Sequence, residues 1–286
     1  MKLDGRREST NVDDRRGRSV ATAGGIGLGG VIIVGLIYML MGGSFSDAIK
    51  VAGSMGQGQT TTQEYTPSAE EQELATFAKR ILAGTEDVWT RIFAQYGKTY
   101  VPPKLVLFTG SVQSGCGGAT SSSGPFYCSA DQSVYLDLSF FMNMKKQIGA
   151  DGDFAYAYVI AHEVGHHVQN QLGILGQAHQ QMSRMSEKES NKVSVRLELQ
   201  ADYFAGVWAH HDNKMFRSLE DGDIEEAINC AEVIGDDYLQ KKARGYAVPE
   251  SFNHGTSKQR MKWFKLGLET GDISKGTTFQ CSDAEL

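Results

Sequence analysis

Two histidines one helical turn apart, His162 and His166, with Glu163 beside the first, constrain this chain more than anything else in it. They fall in residues 155–172, AYAYVIAHEVGHHVQNQL, a stretch with helical apolar periodicity. Residues four apart on a helix share a face, so the two imidazoles are presented to one point and the Glu163 carboxylate stands beside them. Two neutral imidazoles at that spacing suit Zn²⁺, and the carboxylate can take a proton from water that the metal has acidified. A buried helix with hydrogen-bonded core histidines would show the same spacing. Against that reading stand Gly165, which in mid-helix costs about 1 kcal/mol relative to Ala, and the small-residue stripe Ala157, Ala161, Gly165. Both imply that something approaches this face closely. His167 diverges from His166 and is read as lying behind the ligands or at the surface.

A catalytic zinc needs three protein ligands and one open position. Residues 190–209 offer the third, because on a helix Ser194, Glu198, Ala201, Asp202, Ala205 and Ala209 fall in one narrow arc. Carboxylates in a face of small residues pack against another helix, where they need a metal or an imidazole N–H. Glu198 is assigned to the metal and Asp202 to orienting a ligand histidine. The competing reading is two solvated acids on an amphipathic surface.

With 286 residues, 41% of them apolar, and a net charge of −6, the chain reads as globular, and the acidic balance argues against a nucleic-acid partner. Residues 1–20 carry Lys2, Arg6, Arg7, Arg15, Arg16 and Arg18, whereas residues 19–45 contain no charge. A helix over 21–42 would be about 33 Å long, the thickness of a bilayer's hydrocarbon core. The expectation is a single transmembrane helix at 21–42, with residues 1–20 in the cytoplasm by the positive-inside rule and the remainder outside it. A cleaved signal peptide competes, but the polar region before the run is long and no clear A-x-A site follows. Gly25 and Gly29 form a GxxxG face through which copies could associate within the bilayer. Residues 43–67, rich in Gly, Ser, Thr and Gln, read as a flexible linker, which leaves 68–286 as the folded domain.

Ser68 and Glu71 form a capping box for a helix running to about residue 96, with Leu74, Phe77, Ala78, Ile81 and Leu82 at helical spacing. Residues 104–109 read as a strand, and residues 133–139 as a half-buried strand whose edge could accept an extended peptide. Residues 223–242 read as one amphipathic scaffold helix. Cys116 and Cys128 bracket a Gly/Ser/Thr-rich loop, and on the non-cytoplasmic side of a membrane four cysteines are expected as two disulfides, 116–128 and 230–281.

HEVGHH with ELQAD some thirty residues on resembles the gluzincin metallopeptidases, in which a Glu on a second helix is the third ligand. Together with GPFYCSADQSVYLDLSFF, IAHEVGHHVQ, LELQADYFAGVWAH and HGTSKQR, the chain over residues 70–286 resembles the bacterial putative neutral zinc metallopeptidase family of membrane-anchored proteins. In gluzincins with an ExxxD helix, a later His followed six residues on by Arg donates to the oxyanion. His254 and Arg260 have that spacing, so the resemblance makes His254 the donor. Arg260, on a helix capped by Thr256 or Ser257, would hold the segment in place. The expected molecule is a membrane-tethered, zinc-dependent peptidase acting on a peptide or protein. Its expected fold is α+β: a mainly helical, zincin-like domain with a small sheet, preceded by the transmembrane helix. The alternative is a zinc-stabilised binding module without turnover, in which Glu163 would have no purpose.

Overall fold

The structure is a computed structural model and describes residues 1–17 and 65–286. The expected transmembrane helix at 21–42 and most of the expected linker therefore lie outside the described residues. Strand β1 (Val12–Asp14) comes first, and helix α1 (Ala69–Gln95) starts where Ser68 and Glu71 close their reciprocal cap. Strand β2 (Lys104–Phe108) follows, then a hairpin of β3 (Ser111–Ser114) and β4 (Gly117–Thr120), then β5 (Phe126–Cys128) and β6 (Ser133–Asp137). The main sheet has the order β1-β2-β6-β5; its first three strands are parallel, and β5 runs antiparallel to β6.

This order corrects the expected edge. β6 is paired on both sides, and all five of its residues are buried rather than half-buried. The period-2 alternation of its side chains splits them between two cores. Leu105, Leu107, Val134 and Leu136 join the helical core, while Val106, Phe108 and Tyr135 pack with Val112 and Cys128 on the other face. The edge strands are β1 and, next to β6, β5, whose Cys128 is bridged to Cys116 with Cα atoms 5.8 Å apart.

Seven further helices complete the domain: α2 (Leu138–Ile148), α3 (Asp153–Gln171), α4 (Ile174–Met182), α5 (Glu187–Phe216), α6 (Asp223–Val233), α7 (Asp236–Arg244) and α8 (Ser257–Thr270). The described chain is thus mainly helical with small sheets, an α+β fold. Helix α5 is its spine, packed on α3 and α8. At Gly206 the α8 backbone comes so close that a Cβ would stand 2.2 Å from the Phe264 carbonyl oxygen. The single helix expected over 223–242 is two, because the chain breaks at Gly235 and places Asp236 at the start of α7. The second expected disulfide is absent: Cys230 is free and sealed in the core on α6, and Cys281 is free with its thiol on the Thr278 carbonyl. Burial pushes the Cys230 thiol up to about 12, so it stays protonated.

The expected membrane topology is overturned. Among the described residues no helix is long and apolar enough to cross a membrane. Residues 1–17, expected on the opposite side of a bilayer from the domain, are instead part of it, since β1 pairs with β2 and the Met1 amine lies 2.6 Å from Asp153. One helix crossing between residues 17 and 65 would place these bonded segments on opposite faces. Four of the arginines that suggested a cytoplasmic flank are occupied by protein carboxylates: Arg6 by Asp212, Arg7 by Glu86 and Asp87, Arg15 by Asp13 and Arg16 by Asp14. The extracytoplasmic placement of the domain falls with the topology, while the bilayer partner and the association of copies through residues 21–42 lie outside the described residues.

The Arg6–Asp212 pair is bidentate, at 3.0 and 2.7 Å, and Asp212 is fully buried. Removing one partner of a buried pair strands a charge out of water and typically costs about 3–5 kcal/mol. Arg6→Ala is therefore expected to lose about 3 kcal/mol in denaturant unfolding, and a loss below about 0.5 kcal/mol would show that the N-terminal segment is dispensable.

Candidate metal centre

Helices α3 and α5 meet closest at Gly165, where a Cβ would lie 2.9 Å from the Ala201 carbonyl oxygen and 3.1 Å from its Cα. Only a residue without a side chain allows this approach, and it brings the histidine face of α3 against the carboxylate face of α5. The Nε2 of His162 lies 3.1 Å from one Glu198 oxygen and the Nε2 of His166 lies 3.4 Å from the other. The three ligand atoms lie within 4.8 Å of one another. Zinc bonds of about 2.0–2.1 Å at tetrahedral angles set donor atoms about 3.3 Å apart, so the donor set and spacing suit that ion.

The other ring nitrogens are turned outward and bonded. His162 Nδ1 donates to Asp202 Oδ1 at 2.8 Å, and His166 Nδ1 to Gln169 Oε1 at 2.9 Å. Each bond places an N–H on Nδ1, so that Nε2 offers a lone pair once the proton it shares with Glu198 is displaced, the arrangement a metal ligand needs. Asp202 also accepts Tyr158 Oη–H at 2.5 Å and two bonds from Arg260, at 2.8 and 2.9 Å, with all four residues buried. Arg260, on the helix capped by Thr256, thus reaches the carboxylate behind His162 rather than the 254 segment.

The electrostatics favour positive charge at the ring of ligand atoms. Burial alone would lower His162, but Asp202 and then Glu198 outweigh it and raise it to about 10. Burial alone would raise Glu198, but the imidazoles of His166 and His162 hold its carboxyl well below the usual range. Asp202, where Arg260 and His162 overcome burial, is lowered to about 2 and stays ionised. A site that holds protons so firmly between imidazoles and carboxylates is one where a dication can take their place.

Glu163 is buried beside the ligands and makes no metal-facing pair with Glu198. Burial raises its carboxyl, and the two imidazoles only partly offset this. The backbone N–H of Tyr127, on strand β5, is near enough to pull the carboxyl back slightly. That strand is tied to α3 by His167, whose Nε2–H donates to the Val101 carbonyl at 2.7 Å while its Nδ1 accepts the Tyr127 hydroxyl at 3.0 Å. His167 is therefore a fully buried tie, not a surface residue.

His254 lies close enough to Glu198 that each shifts the other's titration. Its loop hangs on Asp236, whose Oδ2 accepts the N–H groups of Asn253, His254 and Gly255 at 2.8, 2.7 and 3.0 Å, while Oδ1 lies 3.2 Å from His254 Nδ1. The structure thus brings His162, Glu163, His166, Glu198, Asp202, His254 and Arg260 to one region, with Cys116–Cys128 at its β5 rim and Cys230 and Cys281 unpaired. Sequence reasoning missed Tyr158, Gln169, Tyr127 and Asp236. For the first two a signal exists: Tyr158 stands four before His162 and Gln169 three after His166, both same-face spacings. A second acidic trio among the described residues, Asp153, Asp223 and Glu226, lies at the Met1 amine, which Asp153 and Asp223 bind.

The family model described as "Putative neutral zinc metallopeptidase" matches residues 1–279. The uncharacterized protein YpfJ of Escherichia coli K12 is 48% identical over 98% of this chain and 99% of its own length. The uncharacterized protein Rv2575 of Mycobacterium tuberculosis H37Rv is 42% identical over 64% of each chain. No solved structure matches. A match that runs from the N-terminal segment through α3 and α5 to the segment beyond α8 makes the chain a member of the putative neutral zinc metallopeptidase family.

Proposed function

We propose that this chain is a zinc-dependent peptidase in which His162, His166 and Glu198 hold the ion, Glu163 is the general base and His254 stabilises the oxyanion. The observation that carries this reading is the convergence of two Nε2 atoms on one carboxylate, at 3.1 and 3.4 Å, with both Nδ1 atoms bonded away. Bound there, Zn²⁺ would supply Lewis acidity, polarising a scissile carbonyl and lowering the pKa of attacking water toward ~7. Glu163 takes the proton of that water and delivers it to the leaving amine, and burial, which raises its carboxyl, favours the protonated form that the second transfer needs. An extended peptide would align along β5 rather than β6, because β5 is the edge strand on the side of α3, tied to it through Tyr127 and His167. Turnover of a denatured protein by the purified full chain, abolished by a chelator and restored by zinc, tests the reading; turnover that persists in chelator contradicts it.

Negative charge develops on the carbonyl oxygen during attack, and a fixed hydrogen-bond donor shares it with the ion. Asp236 holds the His254 ring by one side and leaves the other free to donate. His254→Ala is expected to keep zinc and KM while kcat falls about 10²–10³-fold. Lower thermal stability with kcat unchanged would reduce His254 to a loop anchor.

A further inference from the structure

Behind His166 the hydrogen bonds continue through two buried glutamines to the segment after α8. Gln169 is fully buried, and both of its N–H groups are committed, one to the Leu197 carbonyl at 2.7 Å and one to Gln200 Oε1 at 3.1 Å. Its Oε1 is therefore the atom turned to His166, and the amide orientation is fixed by its partners. Gln200, also buried, donates through Nε2 to the Gly276 carbonyl at 2.8 Å, which in turn fixes its Oε1 toward Gln169. The segment that supplies Gly276 is itself pinned to α5 two residues before Glu198. Thr278 Oγ1 donates to the Arg196 carbonyl at 2.8 Å, and the Arg196 guanidinium returns bonds to the Thr278 and Cys281 carbonyls.

We propose that Gly276, Gln200 and Gln169 form a relay of positioning groups that holds His166 for the metal, so that the segment beyond α8 is part of the metal site although none of it touches a ligand. The proposal rests on the zinc reading above. In each glutamine of the relay Oε1 accepts and Nε2 donates, and loss of Gln200 leaves the Gln169 amide anchored through the Leu197 carbonyl alone, so that its orientation is held less firmly. A rotated Gln169 would turn its NH₂ toward His166 Nδ1–H, donor against donor, and the ring would lose the orientation that aims Nε2 at Glu198. Outer groups of this kind typically carry 10–100-fold in metal affinity.

The test is a double-mutant cycle on the full chain, read as zinc affinity by competition with a chelating dye. Gln169→Met and Gln200→Met keep side-chain length and remove the hydrogen bonds. Each is expected to weaken zinc binding about tenfold or more, and the double variant to be no weaker than Gln169→Met alone, since Gln200 acts only through Gln169. The downfield proton resonance of His166 Nδ1–H should shift upfield in both single variants, a change that general loosening of the fold would not confine to one ring. Where Gln200→Met does not fold, Gln200→Asn keeps the amide but is one methylene too short to bridge, and the same weakening is expected of it. Native zinc affinity in the folded Gln200 variant, or losses that simply add in the double variant, overturns the relay while leaving the zinc reading intact. A native protein that binds no zinc overturns both.

Discussion

Glu163→Gln is expected to bind zinc as the native protein does and to hydrolyse peptide at least ~10²-fold more slowly. The glutamine has the same shape, and Glu163 is not one of the three converging donors. What it cannot do is accept a proton from water, a function that commonly contributes about 10²–10⁴ in rate. Zinc content by metal analysis and turnover on the same preparation check the two halves together. Normal turnover in Glu163→Gln would remove the general base from the mechanism, and lost zinc would mean that Glu163 is a ligand.

Asp202→Ala is expected to have the largest combined effect on stability and metal affinity. The substitution strands the buried Arg260 guanidinium, and it deprives His162 Nδ1 and the Tyr158 hydroxyl of their common acceptor. Breaking a buried pair from one side costs about 3–5 kcal/mol, and loss of the group orienting a ligand histidine about 10–100-fold in metal affinity. The two costs can be separated. Asp202→Leu with Arg260→Met removes both charges and should recover much of the stability, because no buried charge is left alone, yet zinc should stay weak because His162 still lacks its acceptor. Recovery of zinc affinity along with stability would mean that Asp202 serves the fold and not the ligand.

The parts of this site that are legible in the sequence are those set by spacing within one helix. His162 and His166 are four apart on α3, Glu198 and Asp202 four apart on α5, and the Ser68 and Thr256 caps lie within three residues of their partners. Gly165 is legible too, since a glycine in mid-helix signals a close neighbour; the neighbour proved to be Ala201. What fails is what depends on distant pairing. β6 reads as an edge because its parallel pairing with β2, Lys104 to Ser133 through Phe108 to Asp137, joins separate stretches of chain and leaves no mark in the sequence of β6 itself. The N-terminal arginines read as a membrane flank because their carboxylates, Asp212 and Glu86 among them, lie up to two hundred residues away. Cys230 and Cys281 pair well by count and badly in space, one in the core and one in the final segment. Asp236 hides in a stretch that reads as continuous helix, and only the break at Gly235 gives it the three backbone N–H groups of the 253–255 loop.

The central claim is that α3 and α5 together hold one catalytic zinc, and Glu198 is the residue that joins them. Metal content and hydrolysis should be measured on native protein and Glu198→Ala after identical purification in zinc-containing buffer. The account predicts about one zinc per chain and chelator-sensitive hydrolysis in the native protein, with both lost in a Glu198→Ala protein that still unfolds cooperatively. Stoichiometric zinc and undiminished hydrolysis in Glu198→Ala would contradict it.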